Sequence, residues 1–185
     1  MNKQLSQSDA VYFIERYIKV PDRHQSVTIP FKMTQLRRLW LSDFQNDINE
    51  VILAPRKSGK STAICAFMIW KAITRSNQSL AIVTLNYQLS RYIFTVLTKQ
   101  YNSLIPHAYG DLTYLPMVTD DKNFILRLTN GTSIEVTVPS NIVKNKKLYT
   151  HAIVEDFNWV DDISIEYLEK FLDYDNCSWI TSQLS

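Results

Sequence analysis

The chain has 185 residues, enough for one domain with a core of ordinary size. A formal net charge of +2 gives no global polyelectrolyte argument for nucleic acid, and two cysteines make neither a disulfide framework nor a metal-ligand spacing, as suits a reducing cytoplasm. Met1-Asn2-Lys3-Gln4 has no apolar signal core and no segment is long enough to span a bilayer, so no membrane association is expected.

Ser8 or Asp9 can cap a first helix, Ala10–Ile18, with Val11, Ile14 and Ile18 on one face, and Pro21 ends it. After Ile29-Pro30-Phe31, a second helix over Thr34–Phe44 is expected to carry Leu36, Leu39 and Trp40 inward. The apolar run Val51-Ile52-Leu53 reads as a strand, followed by a loop and a helix over Thr62–Ile73. A strand at Leu80–Leu85 and a long helix at Tyr87–Leu104 follow. Asn123–Leu128 and Ser133–Val138 flank Thr129-Asn130-Gly131-Thr132, a strong hairpin signal. Val143–Leu148 is polar and basic and reads as a loop. His151–Val154 is a buried strand, Ile163–Leu172 a helix and Ser178–Thr181 a final strand. Strands alternating with helices predict an α/β fold with a mainly parallel sheet and an added antiparallel hairpin.

The segment with most chemistry is Ala54-Pro55-Arg56-Lys57-Ser58-Gly59-Lys60-Ser61. Strand, loop and helix with Gly-Lys-Ser at the turn is the layout of a phosphate-binding P-loop, in which backbone N–H groups and a helix N-terminus face the anion. Lys60 would reach the β- and γ-phosphates and Ser61 would hold Mg²⁺. Ala54 stands where the first glycine of the pattern belongs, and the competing reading is a basic surface loop before an ordinary helix. Such a loop needs a carboxylate partner at the end of another strand, and Glu155-Asp156 follows His151–Val154 about a hundred residues on. Two adjacent carboxylates at the end of an apolar strand are costly without a cation. The remaining acids, from Asp161 to Asp175, read as a solvated helix face.

Three N-terminal stretches resemble the start of a tailed-phage terminase large subunit of the T4-like sort: Tyr12–Ile18, Ile29–Gln35 and Arg56–Thr62. Leu126–Ile134 is similar to that family's hairpin, Val154–Val160 to its acidic segment and Trp179–Gln183 to its coupling motif. The resemblance implies a P-loop NTPase of the ASCE/RecA-like kind, a three-layer sandwich. Residues 1–48 would form the adenine-side helices and 49–185 the P-loop core. It implies ATP and Mg²⁺ as cofactors and hydrolysis by attack of water on the γ-phosphate.

At matching positions, Gln35 would read the adenine edge and Arg56 would contact the γ-phosphate in cis. Lys57, Ser58, Gly59, Lys60, Ser61 and Thr62 would line the nucleotide site. Ser61 and Glu155 would hold the metal, Asp156 would be the catalytic base, and Thr181 would couple hydrolysis to movement. Implied partners are duplex DNA, held weakly by this part alone, a portal protein and a small terminase subunit. A homo-oligomeric ring on the portal, a monomer in isolation and the host cytoplasm during infection complete that picture.

This sequence departs from the family pattern in three ways. The acidic pair is inverted, Glu-Asp for Asp-Glu, so Asp156 is one methylene shorter than the expected base and slow turnover is expected. Lys144-Asn145-Lys146-Lys147 occupies the region where the family has Arg-Gly. The chain stops after the coupling motif, without the family's RNase H-like nuclease half, so no nuclease activity is expected. The alternative is a truncated or repurposed terminase-like module that binds nucleotide with little turnover. A helicase-type ATPase fragment, which shares the fold and the glutamine, is a third reading.

Overall fold

Residues 60–74 are apolar on nearly every side, and a helix of that kind has to be central. The computed structural model describes residues 9–21, 27–46, 51–54, 58–105, 115–120, 123–155 and 177–182, with only the backbone of 51–54, 120 and 177–182. In it, helix α3 (Lys60–Thr74) is buried from Ala63 through Ile73. Against it pack the N-terminal helices α1 (Ala10–Tyr17) and α2 (Gln35–Gln45), and helix α4 (Tyr87–Asn102). Phe67 is the hinge of this packing, 5.4 Å from the ring of Phe44 on α2 and 5.5 Å from Trp70. Replacing such a buried ring by alanine typically costs about 3–5 kcal/mol.

The strands are β1 (Lys19–Pro21), β2 (Thr28–Pro30), β3 (Val51–Ala54), β4 (Ser79–Val83), β5 (Val118–Asp120), β6 (Ile125–Leu128), β7 (Ser133–Thr137), β8 (His151–Glu155) and β9 (Cys177–Ser182). β1 and β2 pair as a small antiparallel ribbon. The others form one sheet in the order β3-β9-β8-β4-β7-β6-β5. From β3 to β7 all neighbours are parallel, while β6 and β5 are added antiparallel. β8 is buried at every position and β4 at all but its first, so both faces of the sheet are covered there. That is the expected three-layer α/β arrangement. The strand inserted between the P-loop strand β3 and the acidic strand β8 is the ASCE order.

Local chemistry explains the element ends. Asp9 caps α1, its carboxylate accepting from Tyr12 N–H at 2.9 Å, and Asn86 caps α4 on Leu89 N–H at 2.9 Å. The Asn-Gly turn gives the expected β6–β7 hairpin, with Gly131 at φ +80°. The same turn closes the end of α3: Asn130 Nδ2 donates to Ala72 O at 2.7 Å, and Thr132 Oγ1 to Arg75 O at 2.9 Å.

Two expectations are corrected. Leu36 and Leu39 are exposed, because α2 turns Trp40, Leu41 and Phe44 to the core instead. The basic segment is not all loop: helix α5 (Pro139–Asn145) starts with proline at its first position, where a missing N–H costs nothing, and stops at Lys146 in the left-handed region. The expected helix Ile163–Leu172 lies outside the described residues. No helix among the described residues is long and apolar enough to cross a membrane.

Candidate functional site

β3, β9 and β8 run parallel and end at the same edge of the sheet, where ligands sit in open α/β sheets. Ala54 is the last residue of β3 and pairs with Ser182. Its backbone is part of a strand ladder. Gly59 is different. It precedes α3 at φ +82°, a conformation that side chains with a Cβ rarely adopt, and offers no side-chain cap to the helix. The first N–H groups of α3 therefore have no acceptor within their own helix.

Lys60, the first residue of α3, is only 8% exposed. The Ser58 hydroxyl is buried with no hydrogen-bond partner among the described residues. Ser61 donates through Oγ to Glu155 Oε1, joining groups 94 residues apart in sequence. Glu155 is 2% exposed. A buried carboxylate against the serine that follows Gly-Lys brings together oxygen atoms of the kind a hard cation takes. Burial, and behind it the Glu155 carboxylate, push the Cys65 thiol well above its ordinary value, so the charge of Glu155 is felt one turn into α3. Thr62 is held through its carbonyl, which accepts from Gln100 Nε2 of α4 at 3.2 Å.

Thr181 pairs with Leu53 on one side, and its neighbour Ile180 pairs with Glu155 on the other. It thus lies on the strand between β3 and β8, level with the third residue of β3. Gln35 is exposed at the first position of α2. Two residues on, Arg37 reaches the residue before Gly59: Nε donates to Ser58 O at 2.8 Å and Nη2 donates to the same oxygen. Sequence reasoning gave Arg37 no role; its only signal was a basic pair following Gln35. Arg56, Lys57 and Asp156 lie outside the described residues.

The basic segment is at the other end of β8 from Glu155. Lys144 and Lys146 are exposed, but Lys147 is tied to Glu135 on β7 at 2.8 Å. The patch is therefore smaller than the sequence suggests.

No protein-family model matches this sequence. No curated protein matches it either. Solved structures do. The chain is similar to the large terminase of bacteriophage HK97, with a TM-score of 0.70 and 15% identity over 95% of this chain and 37% of that one. It is similar to the large terminase ATPase domain of Thermus phage P74-26, with a TM-score of 0.60 and 13% identity over 84% of this chain and 66% of that one. It is also similar to the UvsW helicase of bacteriophage T4, with a TM-score of 0.62 and 12% identity over 95% of this chain and 60% of that one. The chain thus spans little more than a third of the HK97 protein. The fold is that shared by phage terminase ATPase domains and a P-loop helicase.

Proposed function

We propose that this chain is a Mg²⁺-dependent ATPase motor domain of the phage DNA-packaging kind. The observation that carries the reading is the contact of Ser61 with Glu155, which puts the first turn of the P-loop helix against the end of the acidic strand. Lys60, Ser61 and the N–H groups of the loop would hold the phosphates, and Gln35 would read the base. Ser61 and Glu155 would hold Mg²⁺, which would supply positive charge to offset that of the phosphates. Asp156, the next residue after Glu155, would orient and deprotonate the attacking water. Arg56 would stabilise charge on the γ-phosphate, and Thr181 would relay hydrolysis through β9. Most of the rate would come from positioning and electrostatics.

The inverted acidic pair favours one second reading: a terminase-like module that binds nucleotide and turns it over little. Phosphate release, measured beside nucleotide binding, separates the two. As a motor, the wild-type chain releases phosphate in Mg²⁺, Asp156→Asn stops it, and Glu155→Gln weakens Mg²⁺-dependent binding more than Asp156→Asn does. Full turnover in Asp156→Asn with none in Glu155→Gln would reverse the two roles. Tight nucleotide binding without phosphate release would make the chain the binding module.

The packaging role adds partners: duplex DNA, a portal protein, a small terminase subunit and further copies of this chain in a ring, in the host cytoplasm during infection. With Lys147 committed to Glu135, DNA binding by this part alone would be weak, with the shallow salt slope of a few phosphate contacts. Retention of duplex DNA at physiological salt would show a DNA surface elsewhere.

A further inference from the structure

Arg37 is anchored away from the loop it touches. Nη1 donates to Lys32 O at 3.1 Å, and the guanidinium lies over the Phe31 ring, 5.2 Å from its centroid. From there Nε and Nη2 both donate to the Ser58 carbonyl. The group also packs on Gly59, where an added Cβ would come within 2.8 Å of Nη2 and 3.1 Å of Cζ. Glycine at 59 thus suits the positive φ and lets the guanidinium lie against the backbone.

We propose that Arg37 is a positioning residue that presets the phosphate nest from the base side of the site. A trans peptide is planar, so its C=O and N–H point to opposite sides. Fixing the Ser58 carbonyl toward Arg37 turns the Gly59 N–H away from it, to join the N–H groups of Lys60 and Ser61 at the start of α3. Without Arg37 that peptide is free to rotate, and its carbonyl can face the anion instead. The first turn of α2, which carries Gln35, and the phosphate loop then form one unit. This rests on the P-loop reading of the preceding section.

The experiment is binding of tripolyphosphate, which has no base, in Mg²⁺ by calorimetry. Arg37→Ala should weaken it about tenfold, the scale of one lost hydrogen bond. Arg37→Gln should stay within about threefold of wild type, because glutamine Nε2 falls where arginine Nε sits, and holding a carbonyl needs a donor but no charge. Arg37→Lys, which also carries a donor, should bind no more tightly than Arg37→Gln. The opposite pattern, rescue by lysine and not by glutamine, would mean a direct charge contact with phosphate and would overturn the proposal. So would an affinity unchanged in Arg37→Ala. If Arg37→Ala does not fold, glutamine against lysine still decides. Lys60→Ala is the control: a wild-type chain that binds no tripolyphosphate, or a Lys60→Ala variant that binds it normally, overturns the P-loop reading and this inference together. Loss in Lys60→Ala with no loss in Arg37→Ala overturns this inference alone.

Discussion

At its C-terminal end α3 is closed by a distant piece of chain, while at its N-terminal end it is left without a cap. The Asn130 amide and the Thr132 hydroxyl from the β6–β7 turn reach the carbonyls of Ala72 and Arg75, and Asn77 N–H donates to Asn130 O at 3.1 Å in return. Sixty residues of sequence are thereby stapled at a helix end that would otherwise carry orphan acceptors. At the other end stands Gly59, with no side chain to cap anything, and what touches it holds a carbonyl away from the helix mouth. As a cap, glycine is only a few tenths of a kcal/mol worse than serine, threonine or aspartate, and none of those suits φ +82°. On the proposed reading, the N-terminal end keeps its donors for a ligand and the C-terminal end does not.

The largest break in that comparison is Lys60→Ala. It removes the cation from the uncapped end and leaves the closed end untouched. Nucleotide affinity should fall about tenfold to a hundredfold, the range of a charge-assisted hydrogen bond, and turnover should vanish. The melting temperature should stay within a few degrees of wild type. Unchanged affinity would remove the reason for leaving this end uncapped.

A smaller effect is expected from Asp156→Glu. The methylene it adds restores the reach of the expected base, and a misplacement of that size costs up to about 10²-fold in rate. Turnover should rise or stay level under saturating ATP and Mg²⁺. A sharp fall would show that the inverted pair is tuned as it stands.

How much of this could be read from the sequence depends on how local the cause is. The helix after Gly-Lys-Ser, the Asn-Gly hairpin and a cap at Asp9, one of two candidates with Ser8, rest on neighbours within a few residues, and the structure places them where the sequence does. The pairing of Ser61 with Glu155 was legible only as a requirement: a P-loop needs an acid, and one apolar strand ended in two. Arg37 was not legible, since its partner is a backbone carbonyl 21 residues away that no residue type announces. Nor was the burial of α2, whose apolar residues lie on more than one side; the core took Trp40, Leu41 and Phe44 and left Leu36 and Leu39 outside. Strand β5, three residues with no alternation, gave no signal at all. The order that inserts β9 between β3 and β8 is set by long-range pairing, which periodicity does not encode.

The closed end has its own test. Asn130→Ala takes the side-chain donor from the Ala72 carbonyl, at a cost of about 1–3 kcal/mol, while Thr132 still serves Arg75 O. Gly131→Ala adds a Cβ at φ +80° against the Asn77 side chain, and strain of that kind costs about 1–3 kcal/mol as well. Both should lower the urea midpoint with nucleotide affinity unchanged within about twofold, since a shift of 1.4 kcal/mol is needed for tenfold. A loss of affinity larger than the loss of stability explains would mean that the hairpin turn shapes the phosphate site from afar.

The finest test asks whether the two ends are independent. α3 has 15 residues, so its ends are about 22 Å apart at about 1.5 Å per residue. Changes more than about 7–10 Å apart with no shared partner usually add within about 0.5 kcal/mol. The partners of the two ends are separate: Arg37 and Glu155 at one, Asn130 and Thr132 at the other. A cycle of Lys60→Ala, Asn130→Ala and the double variant should therefore close, in stability from urea titration and in affinity from calorimetry alike. One route could still couple them. β8 begins at His151, whose Nδ1 lies 2.9 Å from Lys71 Nζ near the closed end, and ends at Glu155 against Ser61 at the other. If β8 shifts as a rigid strand when nucleotide binds, the cycle will show a coupling above about 1 kcal/mol, and Lys71→Met should abolish it. Closure of the cycle instead makes the N-terminal end of α3 a site that can be changed without cost to the rest of the fold.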